Sequence, residues 1–225
     1  MYSSNGNSLG GVGGKMIELK GLTKKYEGKT IFENLNIVFP EKKLNFILGK
    51  NGIGKTTLYK CILNLENYSG EIVNNNERIF CIFDEQPFYT NLSGFQNIDL
   101  FKSLYSIKTE TLIDCSMMDT SFLKKKVKNY SYGQKKKLAL LLVDIICPDV
   151  LLLDEASNGL DYETIKYLKQ KLEIWKNGMT IIITGHQLDF YNSIIDNTFV
   201  MLDGKIVSVN KGDKKLEEIY DEYIK

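Results

Sequence analysis

The run GKNGIGKTT, Gly49 to Thr57, follows directly on the apolar stretch Leu44, Asn45, Phe46, Ile47, Leu48 and leads into TTLYKCILNL, a helix-compatible sequence. Gly49, Gly54, Lys55 and Thr56 fit the spacing G-x-x-x-x-G-K-S/T, with a strand before it and a helix after it, the context this pattern requires. Glycines let the backbone curl so that successive N–H groups point inward at phosphate oxygens. The following helix adds the partial positive charge of its N-terminus. Lys55 would reach the outer phosphates, and the Thr56 hydroxyl would take a Mg2+ ligand position. The bland alternative, a Gly/Lys-rich surface turn, does not need the flanking strand and helix.

With 225 residues, 43% hydrophobic and 25% charged, the chain has material for one or two globular domains. Its formal charge of +1 gives no global field toward nucleic acid or anionic lipid. Cys61, Cys81, Cys115 and Cys147 are far apart, form no C-x-x-C pair, and with one histidine supply no zinc spacing. They read as reduced, structural thiols. The most hydrophobic run, Leu138 to Leu153, is broken by Asp144, Pro148 and Asp149, which suits a buried helix and then a buried strand rather than a membrane span. Residues 1–15 are rich in Gly, Ser and Asn and read as a flexible tail or tag, with Met16 as the natural start.

Met16 to Phe39 reads as two or three antiparallel strands turning at Glu27, Gly28 and Lys29. Tyr26 in this region could stack on an adenine ring; taken by itself, packing a sheet edge is the favoured alternative. After the phosphate loop come short strands at Ile72, Val73 and at Arg78 to Phe83, the second ending at Asp84, Glu85, Gln86 and Pro87. From Phe88 the pattern turns helical, with Phe95, Ile98, Phe101, Leu104 and Tyr105 at helical spacing, the start of an inserted helical subdomain at about 88–146. Phe88, Tyr89, Phe95, Phe101 and Tyr105 could form a docking groove, although aromatics at such spacing usually build their own core.

Ser131 stands where a helix N-cap would, before a helix that is polar first and then apolar. The apolar strand Val150 to Leu153 is closed by Asp154 and Glu155, two acids at the carboxyl end of a buried parallel strand, the edge where ligands bind in open α/β sheets. One acid can hold Mg2+ through water while the next polarises a nucleophilic water. ASNGLD, Ala156 to Asp161, leads into a helix from Tyr162 to Trp175, and Met179 to Thr184 forms another buried strand ending at Gly185 and His186. A histidine at that edge, level with the acids, has better odds of function than most. Thr198 to Val209 pairs as a hairpin around Asp203 and Gly204, and Lys211 to Lys225 reads as a charged helix.

In this order the motifs resemble the nucleotide-binding subunit of ABC transporters, over Met16 to Asn210. The resemblance rests on the phosphate loop, Gln86 after a strand, the signature Ser131, Gly133, Gln134, the strand ending in Asp154 and Glu155, the turn Ser157 to Asp161, and His186. It implies an α/β fold, a P-loop NTPase core with an antiparallel β subdomain and an inserted α-helical subdomain, and a Mg-dependent ATPase. It also implies ATP binding by Tyr26, Gly49, Asn51, Gly52, Gly54, Lys55, Thr56 and Thr57, with Tyr26 on adenine, and Mg2+ held by Thr56, Gln86 and Asp154. Glu155 would activate water, His186 would bond the γ-phosphate, and Lys55 completes the catalytic set. Ser131, Gly133 and Gln134 would contact the ATP of a second copy, with Asp161 in the loop beside them. The implied assembly is a homodimer or pseudo-symmetric dimer that closes on two ATP molecules and drives a separate transmembrane permease from the cytoplasmic, inner face of the membrane.

Two departures stand out. Tyr132 occupies a usual glycine position of the signature, so its bulk must point away from nucleotide. The short insert, with NLSGFQNIDLFKSLY, Asn91 to Tyr105, is similar to bacterial drug, bacteriocin and lantibiotic exporter ATPases. A soluble ABC ATPase acting on ribosomes or nucleic acid is the alternative, weakened by the charge balance and the single nucleotide domain. A non-hydrolysing regulatory module is a third reading, against which Lys55, Asp154, Glu155 and His186 all speak.

Overall fold

The computed structural model describes residues 17–74, 77–84, 88–108 and 118–225. The N-terminal tail, Cys115 and Gln86 lie outside them. The chain opens on the antiparallel pair β1 (Ile17–Tyr26) and β2 (Lys29–Phe39), which joins β4 (Ser69–Val73) in a three-stranded sheet ordered β2-β1-β4. The region expected as two or three antiparallel strands holds two, β1 and β2, with register shifts near Leu22 and Lys24. The turn falls at Glu27 and Gly28, both at positive φ.

The second sheet has six strands in the order β5-β6-β7-β3-β8-β9. They are β3 (Leu44–Leu48), β5 (Ile79–Ile82), β6 (Val150–Asp154), β7 (Thr180–Thr184), β8 (Asn197–Leu202) and β9 (Lys205–Val209). All pairs are parallel except β8 with β9, the hairpin turning at Asp203 and Gly204. β3, β6 and β7 are buried at every position, as strands covered on both faces must be. Alternate residues divide between two cores: Leu44, Phe46, Leu151, Leu153, Ile181 and Ile183 face one way, Ile47, Val150, Leu152 and Ile182 the other.

The second core is closed by the antiparallel sheet and α1 (Lys55–Ile62), through Ile17, Phe32, Leu58 and Tyr59. The first is closed by α2 (Gly94–Leu104), α3 (Thr120–Leu123), α4 (Tyr132–Ile146), α5 (Tyr162–Trp175), α6 (Leu188–Asn192) and α7 (Leu216–Tyr223). The aromatics of the helical insert belong here. Phe101 meets Phe80 and Phe88 edge to face, Tyr105 meets Phe80, and the Tyr105 hydroxyl donates to Ile79 O at 2.9 Å. They pin α2 to the sheet edge instead of lining a groove; of the group, Tyr89 is exposed.

The C-terminal helix is shorter than its charge pattern suggests, and amphipathic. Leu216, Ile219 and Ile224 are buried in the first core, and the Leu216 N–H donates to Asn192 Oδ1 at 2.7 Å. Charge marks its outer face only. Ile219→Ala should therefore destabilise the fold by about 2–5 kcal/mol in urea unfolding, where a merely solvated helix would lose almost nothing.

Candidate nucleotide site

Parallel pairing brings three strand ends to one edge: β3 runs into the Gly49 loop, and β7 and β6 end side by side with Thr184 opposite Asp154. The loop curls through Gly52 at φ +74° and Gly54 at φ +120°, backbone that side chains rarely adopt. A Cβ at Gly54 would also lie 2.6 Å from Ile31 of β2. Elsewhere Ser93, Ser131 and Asp161 cap α2, α4 and α5 with side-chain oxygens. Gly54 offers α1 no side chain, so the first-turn N–H groups face the cleft as donors for an anion.

That cleft has a volume of about 270 Å³ and is lined by Ile31, Asn51, Gly52, Gly54, Lys55, Thr56, Thr57 and Glu155. Lys55 is buried, and its ammonium donates to the loop's own carbonyls, Gly49 O at 2.8 Å and Lys50 O at 3.1 Å. Burial pushes this ammonium below its usual pKa, against the pull of the Glu155 and Asp154 carboxylates. The Thr56 hydroxyl donates to Asp154 Oδ2 at 2.6 Å, and Thr184 donates to Asp154 Oδ1 at 2.9 Å. Thr56 and Asp154 thus form one oxygen-rich cluster, the donor chemistry that suits Mg2+.

Glu155 follows Asp154 with φ +52°, a conformation that costs a non-glycine residue roughly 1–3 kcal/mol. It is held there by its N–H, which donates to Thr184 O at 3.2 Å and reaches Thr184 Oγ1 at 3.3 Å. The turn swings the carboxylate toward the cleft. Asn158 Nδ2 donates to Oε2 at 2.7 Å, and His186 Nε2 faces Oε1 at 2.9 Å, a contact a carboxylate accepts only from a protonated nitrogen.

Among the described residues, Ser131, Gly133 and Gln134 line no part of this cleft. They start α4 as a capping box: the Gln134 N–H donates to Ser131 Oγ at 3.2 Å and the Ser131 N–H to Gln134 Oε1 at 2.9 Å. Tyr132 is turned back onto its own chain. Its hydroxyl donates to Asp84 Oδ1 and its ring presses on Gly159. Lys136, one turn later and buried, donates to Phe83 O at 3.1 Å and Glu155 O at 3.4 Å and stands 5.5 Å from the Tyr132 ring centre. Asp161 caps α5, accepting from the Thr164 N–H at 2.8 Å, the Thr164 hydroxyl at 2.6 Å and Lys137 at 3.0 Å. These bonds, Thr164 first, push its carboxyl down to about 2. Tyr26 lies outside the cleft lining, with its hydroxyl near Thr57, in the first turn of α1.

Sequence reasoning missed Thr184, Asn158, Lys136 and Ile31. A hydroxyl closing a buried strand level with two acids was a usable signal for Thr184. Lys136 had none, because three consecutive lysines read as a solvated face and only packing singles out the buried one.

Gly159, at φ +68°, has no room for a methyl group against Tyr132. Gly159→Ala should lower unfolding free energy by about 1–3 kcal/mol, and adding Tyr132→Gly should recover the overlap but not the backbone strain, leaving a partial loss. For Asp161, the depressed carboxyl contributes stability present above its unfolded value and lost as pH falls through the folded one. Asp161→Asn keeps a competent cap, so denaturant curves of the two proteins should differ by a constant amount above about pH 5 and converge toward pH 2.

Residues 32–158 match the family described as ABC transporter. The chain is 31% identical to the lantibiotic transport ATP-binding protein SrtF of Streptococcus pyogenes, over 93% of this chain and 97% of that one. It is also 31% identical to the bacitracin transport ATP-binding protein BcrA of Enterococcus faecalis, over 85% of this chain and 68% of that one. A solved ATP-binding subunit of an ABC transporter has the same fold, with TM-score 0.79, 20% identity and 92% of each chain covered. With its phosphate loop, its paired acids and its mixed α/β P-loop fold, this chain belongs to the ABC transporter family as an ATP-binding, ATP-hydrolysing subunit.

Proposed function

We propose that the chain powers export through a separately encoded membrane permease, by closing as a dimer on two ATP molecules and reopening after hydrolysis. The observation that carries this reading is the convergence of Lys55, the Thr56–Asp154 pair and the Glu155–His186 pair on one sheet edge. The exporter assignment rests on the lantibiotic and bacitracin relatives and on the segment Asn91 to Tyr105. No helix among the described residues is long and apolar enough to cross a membrane; on this reading the path for cargo lies in the separate permease. The reading places the protein on the cytoplasmic face of that membrane.

The triphosphate would take the uncapped N-terminus of α1 and draw Lys55 off the Gly49 and Lys50 carbonyls. Thr56 and Asp154, with Gln86, would hold Mg2+, which when bound neutralises charge on the outer phosphates. Glu155 would accept a proton from the attacking water as its oxygen bonds the γ-phosphorus and the bond to ADP breaks. For that the carboxylate must release Asn158 or His186, and a released His186 would turn to the γ-phosphate. Ser131, exposed at the start of α4, with the half-buried Gly133 backbone and Gln134 beside it, would complete the cleft of the partner subunit, with Asp161 in the adjoining loop. Action on ribosomes or nucleic acid is not favoured, as neither charge nor relatives support it.

Glu155→Gln should bind ATP and form a stable dimer while turnover falls about a hundredfold or more. From solubilised host membranes with ATP and Mg2+, that variant should carry a polytopic membrane protein in stoichiometric amount. Normal hydrolysis would remove Glu155 from its role, and a ribosomal or DNA-bound partner would overturn the transporter assignment.

A further inference from the structure

Lys24 lies on β1 two residues before Tyr26 and is 5% exposed, a burial that lysine tolerates only when paired. Its ammonium donates to Glu66 Oε2 at 3.0 Å and to Asn67 O at 2.8 Å, both in the loop between α1 and β4. The same ammonium stands 4.3 Å from the centre of the Tyr26 ring, within cation–π range. The Tyr26 hydroxyl lies near Glu66 and Thr57. Glu66 is held by the cation under the ring, and that bond first of all keeps its carboxyl below the usual range.

A surface tyrosine at a strand end would ordinarily rotate. This one is backed at one face by an anchored ammonium, yet it remains 38% exposed. A salt bridge serving only to tether the β1–β2 hairpin would need Glu66 and Asn67, and would not need the ammonium beneath an aromatic ring. A cation on the covered face draws π density toward itself, which leaves the open face a better platform for an electron-rich purine.

We propose that Lys24 is a positioning residue for the nucleotide base: anchored by Glu66 and Asn67, it fixes the Tyr26 ring so that one face, tuned by the buried ammonium, is presented to the purine of ATP. The proposal rests on the reading of Tyr26 as the base platform. It predicts that Lys24 acts on affinity for the base and leaves affinity for the phosphates alone.

The test is calorimetric binding of ATP and of inorganic triphosphate, without divalent cation so that nothing turns over. Lys24→Met should weaken ATP about fivefold and leave triphosphate within about twofold, while Lys24→Arg, which can bond and stack, stays near the native value. Tyr26→Ala should show the same selectivity for ATP. Equal weakening of both ligands by Lys24→Met would make Lys24 a structural tether, and no weakening would give it no part in base binding; either overturns the proposal. Should Lys24→Met fail to fold, Glu66→Gln must show the ATP-selective loss, or the proposal falls. If Lys24→Met lacks the effect while Tyr26→Ala shows it, Lys24 alone is wrong. If Tyr26→Ala leaves the ratio of the two affinities unchanged, the base platform fails and Lys24 with it.

Discussion

Asp154 is the residue on which the arrangement of this edge depends. Its carboxylate is buried, and a buried charge survives only when its lone pairs are occupied. Thr56 supplies one bond from the start of α1 and Thr184 the other from the end of β7. One acid therefore ties together three segments that are remote in sequence and meet only because β6, β7 and β3 lie side by side. The same Thr184 then receives the N–H of Glu155, so the strained backbone that aims the neighbouring acid is held by the partner of the first. Structure and chemistry at this edge are not separable: removing the Thr184 hydroxyl would take one bond from the Asp154 carboxylate and one from the backbone that aims Glu155.

The signature illustrates a different overlap. Ser131 and Gln134 satisfy each other's backbone as a capping box, and Ser93 and Gln96 do the same at the start of α2. The S-x-x-Q spacing is thus a helix start first. What distinguishes the second of the two starts is its setting, with Gly133 close to the Gly159 carbonyl and Tyr132 bridging to Asp84. At a position where the resemblance leads one to expect glycine, the Tyr132 ring finds room because Gly159 beneath it carries no side chain.

Much of the fold could be read from local pattern. The helix Tyr162 to Trp175, the β8–β9 hairpin and the buried strands agree with expectation because periodicity and turn residues act over a few neighbours. The candidate site was legible where one motif carries several contacts, as in Gly49 to Thr57, and where strand ends announce themselves, as at Asp154, Glu155 and His186. It was not legible where the partner comes from across the sheet. Lys136 and the apolar side of α7 look like surface in sequence and become core only once the sheet lies beneath them, and the insert aromatics, for which groove and core both stood open, are decided for core by that same sheet. Gln86, expected beside the metal, lies outside the described residues.

Lys55 rests on the carbonyls of Gly49 and Lys50, inside the loop that would receive a phosphate. That tether ties the lysine to the carbonyl-bearing wall of the loop and helps to keep the loop in shape. On the proposed reading, arrival of a triphosphate would be an exchange of partners more than a remodelling of backbone, with the lysine moving from strut to ligand. The same side chain would return to its post when product leaves, so that each cycle begins from a loop already formed.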